Sequence, residues 1–413
     1  MKRIAVIGGG AAGMFASIRA AESGARVDVF EKNEKLGKKL FITGKGRCNV
    51  TNACEDIEEL FKAVVTNHRF MYSSFYGFTN RQMMDWLEGE GLAIKTERGD
   101  RVFPVSDKSS DVIRTLTDAM KRLGVRVHLN TPVREIMTRE GCVTGIRLFD
   151  DSVFDCDAVI LATGGVSYPV TGSTGEGHQM AAALGHTVTE LRPSLVPVVI
   201  EEEWCKDLQG LSLKNVELTF RQGKKVIAGD QGEMMFTHFG ITGPLVLTAS
   251  SYLHAALKKG KVMACLDLKP ALDEARLDSR LLREFEAAAN KQIRNVLPEL
   301  MPKSLIPVVL HLAAIDPFLP VHDLTRQQRQ SLVTVMKNMQ MTVSGVRGMS
   351  EAIITQGGVA TREVDPATMA SKLVEGLYFA GEILDVAAVT GGYNLQIAWS
   401  TAHAAGISCC MEE

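Results

Sequence analysis

The stretch RIAVIGGGAAGMFASIRAAESGARVDVFEKN, residues 3–33, decides the fold of this chain. The apolar run 4–7 predicts a buried strand, and three glycines then form a turn. The residues that follow have the spacing of an amphipathic helix that closes at Gly24, and residues 26–30 predict a second strand. Strand, turn, helix and strand in this order make a βαβ unit, so we expect an α/β protein with a parallel sheet.

The glycines of this unit have the spacing of a nucleotide-binding fingerprint. Gly8 allows a tight turn, Gly10 lets a pyrophosphate approach the backbone, and Gly13 allows the helix to pack on the strand. Glu31 ends the second strand near the position expected of an acid that binds a ribose diol. These features predict a bound dinucleotide, and the alternative is a glycine turn that only connects strand to helix.

The C-terminal region indicates which dinucleotide to expect. The stretch GLYFAGEILDVAAVTGGYNLQIAWSTAHAAG, residues 376–406, predicts a strand, a glycine turn and a helix of small and apolar residues. A chain that grips a nucleotide at its start and returns with a second helix N-terminus can hold both ends of a long cofactor, and FAD has that length. The alternative is a core strand followed by a glycine-capped helix.

A further strand and glycine-rich loop lie in DAVILATGGVSYPVTGSTGEGHQMAAALG, residues 157–185. No second G-x-G-x-x-G follows a strand, so we expect no separate domain for a second dinucleotide. NADPH or NADH would then visit the flavin only transiently, as an electron donor.

Composition narrows the possible partners. The chain has 413 residues, 46% apolar and 23% charged, which is typical of a globular protein with two or three packed units. A net charge of -2 argues against capture of nucleic acid or membrane through bulk charge, although residues 32–47 form a local basic run. Eight cysteines without paired spacing predict reduced thiols and a cytoplasmic location. We expect no metal site and no membrane-spanning helix.

Several motifs occur together along the chain: GKGRCNVTN (44–52), RVFPVSDKSSDVI (101–113), LATGGVSYPVTGSTGEG (161–177), FTHFGITGP (236–244) and the C-terminal GLYFAGEILDV with TGGYNLQIAWSTAHAAG. In this order they resemble the BaiN/RdsA-type flavoproteins, described as NAD(P)/FAD-dependent oxidoreductases or aminoacetone-oxidase-family FAD-binding enzymes. The resemblance covers nearly the whole chain, and several ordered motifs are more specific than the fingerprint alone.

The resemblance implies an α/β fold with an FAD-binding Rossmann-like domain of the glutathione-reductase type, made from residues 1–192 and 344–413. Residues 193–343 would form an inserted domain with a β-barrel-like part, 193–268, and a helical part, 269–343. Short β-rich runs between glycine turns in the first part, and helical periodicity in the second, agree with this division.

The resemblance also implies roles for individual residues. The fingerprint would line the pyrophosphate, Glu31 the adenosine ribose and the backbone of Val133 the adenine. A helix N-terminus after Gly391 would lie at the pyrimidine edge of the flavin, where N–H groups stabilise the reduced anion. The expected cofactor-binding residues are Gly8, Gly10, Ala11, Ala12, Gly13, Glu31, Lys32, Gly44, Gly46, Arg47, Val133, Ala162, Thr163, Gly164, Gly381, Glu382, Asp385, Gly391, Gly392, Tyr393, Asn394 and Leu395.

The loop GKGRCNVTN raises a question of chemistry. Gly44 and Gly46 permit close approach of the backbone to the cofactor, and we expect Arg47 to face phosphate. The cations of Lys45 and Arg47 predict a lowered pKa for the Cys48 thiol, which would suit it to donate a proton or attack an electrophile. The alternative is a small buried cysteine that fills space.

Two other side chains have open interpretations. A redox disulfide between Cys48 and Cys54 is the least favoured, because the spacing differs from that of disulfide reductases and no second nucleotide domain is present. His238, in FTHFGITGP, is a catalytic candidate that would protonate a substrate or bind its carbonyl near neutral pH, and the alternative is a structural histidine.

Three functions are compatible with the sequence. We favour a reductase in which NADPH or NADH reduces FAD and the flavin N5 transfers hydride to an electron-poor C=C; the resemblance links such proteins to dihydrouridine formation in 23S ribosomal RNA and to reduction of unsaturated steroid-like acids. The second is an oxidase of a small amine or amino ketone that produces hydrogen peroxide, and the third is a flavin-bound factor without turnover. The expected partner is a small molecule or ribosomal RNA, and the oligomeric state stays open.

Overall fold

The computed structural model describes residues 1–411, and its internal contacts divide the chain into two units. Unit 1 contains residues 1–194 and the described residues from 349 onward, and unit 2 contains residues 195–348. The chain leaves unit 1 once and returns to it once. The sequence predicted these two crossings at 192/193 and at 343/344.

The first part of unit 1, residues 1–194, contains the strands β1–β12 and the helices α1–α7. In chain order the elements are β1 (Arg3–Ile7), α1 (Ala11–Glu22), β2 (Arg26–Phe30), α2 (Lys38–Ile42), β3 (Thr51–Asn52), α3 (Ile57–Ala63), β4 (Val64–Thr66), α4 (Tyr72–Gly77), α5 (Asn80–Gly89), β5 (Ile94–Glu97), β6 (Arg101–Pro104), α6 (Ser109–Arg122), β7 (Arg126–His128), β8 (Val133–Arg139), β9 (Cys142–Leu148), β10 (Val153–Asp155), β11 (Ala158–Leu161), α7 (Glu176–Ala183) and β12 (Arg192–Ser194).

Unit 2 and the return to unit 1 complete the chain. Unit 2 contains β13 (Val198–Ile200), α8 (Trp204–Asp207), β14 (Ser212–Gln222), β15 (Lys225–Thr237), β16 (Gly240–Thr242), α9 (Pro244–Leu257), β17 (Val262–Asp267), α10 (Glu274–Glu286), α11 (Ile306–Leu312), α12 (Arg326–Lys337) and β18 (Met339–Val346). Unit 1 resumes with β19 (Ile354–Gln356), β20 (Leu377–Phe379), β21 (Ala387–Ala388) and α13 (Tyr393–Ser408).

A parallel sheet forms the centre of unit 1. Its five strands have the order β20-β11-β1-β2-β7, and every neighbouring pair is parallel. The strands β1 and β11 are almost wholly buried, as their continuous apolar runs predict. Because the carboxyl ends of parallel strands meet at one edge, the turns after β1, β2, β11 and β20 converge there. This edge positions the candidate site.

Helix α1 packs against α13 beside this sheet, so the two ends of the chain share one hydrophobic core. The Phe15 ring of α1 lies 5.1 Å from the ring of Trp86 and 5.8 Å from that of Trp399, both edge-on, which is a favourable aromatic arrangement. Smaller sheets surround the core: β10-β9-β8, β3-β6-β5, β12-β19 and β21-β4.

Unit 2 is built around a closed antiparallel barrel with the strand order β13-β16-β15-β14-β17-β18. Helices α10, α11 and α12 follow β17, and α12 begins with the capping box that its sequence predicts, in which Thr325 and Gln328 bond each other's backbone N–H groups. Two elements depart from the predicted division of the insert. Helix α9 lies inside the β-rich part, and β18, which closes the barrel against β13, comes after the helices.

The predicted fold class, a Rossmann-like α/β domain with an inserted barrel and helices, is confirmed. Within residues 1–411 no helix combines the length and apolar character needed to span a bilayer. The same residues contain no group of three or more His, Cys, Asp or Glu side chains placed to bind a metal ion.

Candidate functional site

The turn after β1 has the geometry that its glycines predict. Gly8 has a left-handed φ of +104°, and its N–H donates to the Phe30 carbonyl at 2.9 Å. A Cβ on Gly13 would lie 1.8 Å from the Gly8 carbonyl oxygen, so α1 can approach β1 only with glycine there. A Cβ on Gly10 would meet no atom within 4 Å, and α1 begins at Ala11 with no side-chain cap. Open space and backbone N–H groups therefore occur at one point.

Glu31 shapes this turn from the end of β2. Its buried carboxylate accepts hydrogen bonds from the Gly9 N–H at 2.7 Å and from the backbone and side-chain N–H groups of Asn33 at 2.8 and 2.6 Å. The Glu31 carbonyl accepts from the Thr131 N–H at 2.9 Å, which brings the segment that leads into Val133 beside the turn. The residues expected near ribose and adenine thus lie close together.

The strands β11 and β20 contribute to the same edge. The Ala162 N–H donates to the last carbonyl of β1 at 2.9 Å, which holds Thr163 and Gly164 beside the glycine turn. The Thr163 hydroxyl is buried and has no hydrogen-bond partner among the described residues. After β20, a Cβ on Gly381 would lie 2.7 Å from the Ala12 side chain, so this segment packs directly on the start of α1.

Lys32 bonds the loop that opens α7, and His178 lies in the first turn of that helix. The Lys32 ammonium bonds to the Thr174 hydroxyl and, at 2.7 Å, to the Glu176 carboxylate. His178 is 4% exposed, and burial lowers its pKa below 6.5. The positive charge of Lys32 is therefore matched by a carboxylate, and the buried imidazole is neutral at pH 7.

A polar network surrounds Glu382 in the turn after β20. One carboxylate oxygen accepts from the Lys39 ammonium at 2.6 Å, and the other accepts from the Ser167 hydroxyl at 3.0 Å and the Thr355 N–H at 2.7 Å. Sequence reasoning included Glu382 and missed the other three. The basic run contained a signal for Lys39, but its partner is 343 residues away, so the pair could not be assigned from the sequence.

Helix α13 begins after Gly391 and Gly392, where side chains fix the approaching loop. The Gly391 carbonyl accepts from the Asn52 side-chain amide at 3.1 Å. The Asn394 amide accepts from the Ala388 N–H at 2.9 Å and donates to its carbonyl at 2.8 Å. Asn394, expected to contact the cofactor, therefore also holds the loop before its own helix.

Tyr393 and Cys54 are two ionisable groups near the start of α13. Burial is the main cause that raises the pKa of Tyr393 to about 12 and that of Cys54 to about 11, with nearby carboxylates adding to both. Both side chains are therefore protonated at pH 7. Leu395 beside them is half-buried and apolar.

Cys48 corrects the prediction of a lowered pKa. Its side chain is fully buried, and this burial raises the pKa of the thiol far above its usual value. Helix α13 covers the segment, since the Trp399 indole N–H donates to the Val50 carbonyl at 2.8 Å and the Thr51 hydroxyl bonds Gln396 at 2.7 Å. The alternative of a buried cysteine that fills space agrees with this environment.

Arg47 also departs from its expected role. Its guanidinium binds the Asp107 carboxylate through Nε at 2.8 Å and Nη2 at 2.6 Å, and it binds Glu97 as well. The group expected to face phosphate is thus neutralised by two carboxylates of the protein. The flanking Gly44 and Gly46 have left-handed φ angles of +62° and +83° in the same turn.

The remaining predicted residues lie in two different units. His238 belongs to unit 2, in the exposed turn between β15 and β16, where its ring packs edge-on against Phe239 at 4.9 Å. Asp385 belongs to unit 1; its N–H donates to the Val359 carbonyl at 3.0 Å and its carbonyl accepts from the Asn67 amide at 2.6 Å. Burial raises the pKa of the Asp385 carboxyl.

The edge of the parallel sheet fits a dinucleotide. The open space at Gly10, the uncapped start of α1 and the unpartnered Thr163 hydroxyl are features that a pyrophosphate would satisfy. The returning segment at Gly381 packs on α1, so both halves of unit 1 contribute to one site. A fold and site of this kind define an FAD-dependent oxidoreductase.

The chain belongs to a known family, because residues 2–408 match the model of the HI0933-like protein Rossmann domain. This confirms the resemblance stated from the motifs. A 3-dehydro-bile acid delta(4,6)-reductase of Clostridium scindens is 33% identical, covering 98% of each chain. A ribosomal RNA dihydrouridine synthase of Escherichia coli is 31% identical, covering 97% of this chain and 96% of that protein.

Two solved structures share the fold at lower identity. A 3-ketosteroid-delta4-(5alpha)-dehydrogenase from Rhodococcus jostii RHA1 superposes with a TM-score of 0.53 and 16% identity, over 100% of this chain and 97% of that one. A 3-ketosteroid delta1-dehydrogenase from Sterolibacterium denitrificans has a TM-score of 0.54 and 13% identity, over 99% and 100% of the two chains. At these identities the likeness concerns the fold.

Proposed function

We propose that this protein is an NAD(P)H-driven reductase, in which bound FAD supplies hydride transfer from its N5 to an electron-poor C=C of the substrate. The observation that carries the proposal is that two full-length relatives are named for the reduction of a C=C bond. One is named a delta(4,6)-reductase and the other a dihydrouridine synthase, and forming dihydrouridine from uridine is also the reduction of a ring C=C. Their substrates differ, whereas the reaction type does not.

The protein's own residues would serve this chemistry by binding and orientation. The turn from Gly8 to Gly13 and the Thr163 hydroxyl would bind the pyrophosphate, and Glu31 would bind the adenosine ribose. The start of α13 would direct its N–H groups and positive dipole end at the flavin pyrimidine, where negative charge collects on reduction. The remaining predicted cofactor-binding residues, with the exception of Arg47, are part of the same proposal.

Two substrate classes are open to such a reductase: unsaturated steroid-like acids and uridine in ribosomal RNA. Uridine in 23S ribosomal RNA is the substrate we favour, because the basic run leaves unpaired lysines on the surface of unit 1, next to the loop 44–52. The reduction also needs a proton at the neighbouring carbon. Cys48 is too deeply buried to be our choice for this donor; His238 is exposed, and its catalytic role stays a proposal.

An anaerobic titration tests the reductase proposal. The purified yellow protein receives NADPH, NADH and aminoacetone in separate experiments while flavin absorbance is followed. We expect bleaching by at least one nicotinamide and none by aminoacetone. Bleaching by aminoacetone alone would replace the reductase with the oxidase alternative, and an inert flavin would favour the non-catalytic one.

The substrate is tested separately. A strain that lacks the gene should lack dihydrouridine at a position of 23S ribosomal RNA, and the wild-type gene should restore it. Unchanged dihydrouridine content, together with flavin reduction by a nicotinamide, would keep the reductase and exclude this substrate.

A further inference from the structure

The basic run 32–47 is divided by the structure into paired and unpaired cations. Four of its side chains have carboxylate partners: Lys32 with Glu176 at 2.7 Å, Lys38 with Glu34 at 3.2 Å, Lys39 with Glu382 at 2.6 Å, and Arg47 with Asp107 at 2.6 Å. Lys35 and Lys45 are exposed and have no carboxylate partner within residues 1–411. The positive charge available to a partner is therefore concentrated on these two residues.

An aromatic side chain lies between them. The helix α2 buries Leu40 but leaves Phe41 48% exposed and Ile42 41% exposed. The Lys35 ammonium lies 5.4 Å from the centre of the Phe41 ring, a cation–π distance. An exposed phenyl ring beside an unpaired ammonium offers a stacking surface together with positive charge.

A third unpaired lysine comes from the start of α6. The Ser109 hydroxyl donates to the Phe41 carbonyl at 2.6 Å, and the Ser109 N–H donates to the Gly46 carbonyl at 2.8 Å. These bonds hold the neighbouring Lys108, which is exposed, beside α2 and the following loop. We call Lys35, Phe41, Ile42, Lys45 and Lys108 the basic–aromatic patch.

The acids around the patch do not neutralise it. Glu34 is paired with Lys38 and acts more weakly on the charge of Lys35, and Asp111 is paired with Arg114 at 2.9 Å. Asp107 is occupied by Arg47 and by Lys95 at 2.7 Å. The patch is therefore a local positive surface on a chain whose net charge is -2.

We propose that the basic–aromatic patch is the surface on which this protein docks an unpaired loop of RNA, an inference that rests on the proposed ribosomal RNA substrate. Lysines bind the phosphates of a single strand without reading its sequence, and an exposed aromatic ring stacks on an unpaired base. The segment that carries Lys45 continues directly into residues 48–52, which bond to α13, so the docked loop lies next to the predicted flavin site.

Other ligands fit the patch less well. A small apolar ligand is normally enclosed in a cleft, whereas Phe41 and Ile42 project from the surface. An acidic protein segment would use the lysines but has no base to stack on Phe41. The combination of charge and an exposed ring therefore favours single-stranded RNA.

Binding of a fluorescein-labelled RNA hairpin with a uridine-rich loop tests this proposal, with FAD-loaded protein and fluorescence anisotropy as the readout. We expect the K35Q/K45Q/K108Q variant to bind more weakly and to reduce the slope of log K against log salt by about 2, because each contact with a single strand contributes about 0.7. The charge-matched control is K224Q/K225Q/K261Q, three exposed lysines of unit 2, which should bind like wild type.

A second pair of variants tests whether an unpaired base stacks on Phe41. Phe41→Ala should weaken hairpin binding by about 5- to 150-fold, the range seen when a stacking ring is removed. Phe318→Ala removes an equally exposed ring of unit 2, one that lies 4.1 Å from an arginine, and should leave binding unchanged. A second labelled RNA, a duplex without an unpaired loop, offers phosphates but no free base, so its binding should depend on the lysines but not on Phe41.

Three results would overturn the inference: no hairpin binding by wild type, equal binding by the patch and control variants, or competition by polyglutamate as effective as by unlabelled hairpin. Titration of the same samples with NADPH keeps this test separate from that of the proposed function. If NADPH reduces the flavin but the patch variants bind normally, only the docking proposal fails. If the patch variants lose binding while no nicotinamide reduces the flavin, only the reductase proposal fails.

Discussion

The glycine turn 8–13 and residues 50–52 belong to the same unit, yet their polar groups are used differently. The turn leaves open space at Gly10 and backbone N–H groups at the uncapped start of α1. The Val50 carbonyl, the Thr51 hydroxyl and the Asn52 side chain are hydrogen-bonded to α13, to the residues before it or to neighbouring loops. Just before them, the buried side-chain oxygen of Asn49 has no partner among the described residues.

This difference separates residues that bind a ligand from residues that hold the site. Buried polar groups are costly to leave unpaired, so an unmet group at the edge of the parallel sheet, such as the Thr163 hydroxyl, is a candidate contact for a ligand, whereas groups bonded within the chain contribute to its stability. We therefore expect changes in the turn to affect cofactor binding, and changes in residues 50–52 or at their partners Gln396 and Trp399 to affect stability.

The sharpest test compares two Gly-to-Ala changes within the turn. Gly13→Ala places a Cβ 1.8 Å from the Gly8 carbonyl oxygen, and displacing α1 should lower the free energy of unfolding by about 3 kcal/mol with loss of FAD. Gly10→Ala meets no protein atom and has an extended backbone, so it should lose FAD at unchanged stability of the FAD-free chain. Flavin absorbance per protein and urea unfolding measure the two effects, and equal destabilisation by both variants would contradict the distinction.

Trp399 tests the prediction that residues bonded to the segment 50–52 contribute to stability. Trp399→Phe keeps an aromatic ring in the core but removes the indole N–H from the buried Val50 carbonyl. An unpaired buried acceptor costs roughly 1–3 kcal/mol, so we expect a loss of about 2 kcal/mol in urea unfolding, with FAD still bound at saturating concentration. Unchanged stability with weakened FAD binding would show that the segment contacts the cofactor directly.

The pH dependence of stability provides a third test, at His403 of α13. Burial, with a smaller effect of Arg19, lowers the pKa of this imidazole to about 4 from 6.5, and its ring stacks on Phe78 at 4.6 Å. The unfolded chain therefore takes up a proton at higher pH than the folded one. The contribution of neutral His403 to the free energy of unfolding is fully present above about pH 6.5 and is lost as the pH falls from 6.5 towards 4.

The His403→Phe variant isolates this contribution, because other buried histidines titrate in both proteins. Between pH 7 and pH 5 the wild type should lose about 1–2 kcal/mol more of its unfolding free energy than the variant. Parallel losses in the two proteins would mean that His403 is accessible to protons in the folded state.

Local patterns predicted the fold well, and long-range contacts account for the errors. The β2 strand and the roles of Gly8 and Gly13 depend on neighbours within one βαβ unit, so spacing alone was sufficient. The ionic partners of Arg47 lie 50 and 60 residues away on other elements. No local pattern contains that information.

Contacts from distant parts of the chain also explain the wrong pKa prediction for Cys48. The lowered pKa predicted for Cys48 counted adjacent cations in the sequence, whereas the full burial of the side chain raises its pKa. The barrel shows a similar effect, since β18 pairs with β13 from the far side of the helical insert.

Cys48→Ala is the smallest expected change and the most direct check of this correction. A fully buried thiol with a raised pKa stays protonated at neutral pH, so it contributes packing and not reactivity. We expect a stability loss of about 1 kcal/mol and an unchanged rate, between pH 6 and 9, at which the NADPH-reduced protein converts uridine of ribosomal RNA to dihydrouridine. Cys54→Ala, which removes a partly exposed thiol, is the matched control. A rate that falls only in the Cys48 variant, together with loss of a pH dependence that the wild type shows, would return Cys48 to the chemistry first predicted for it.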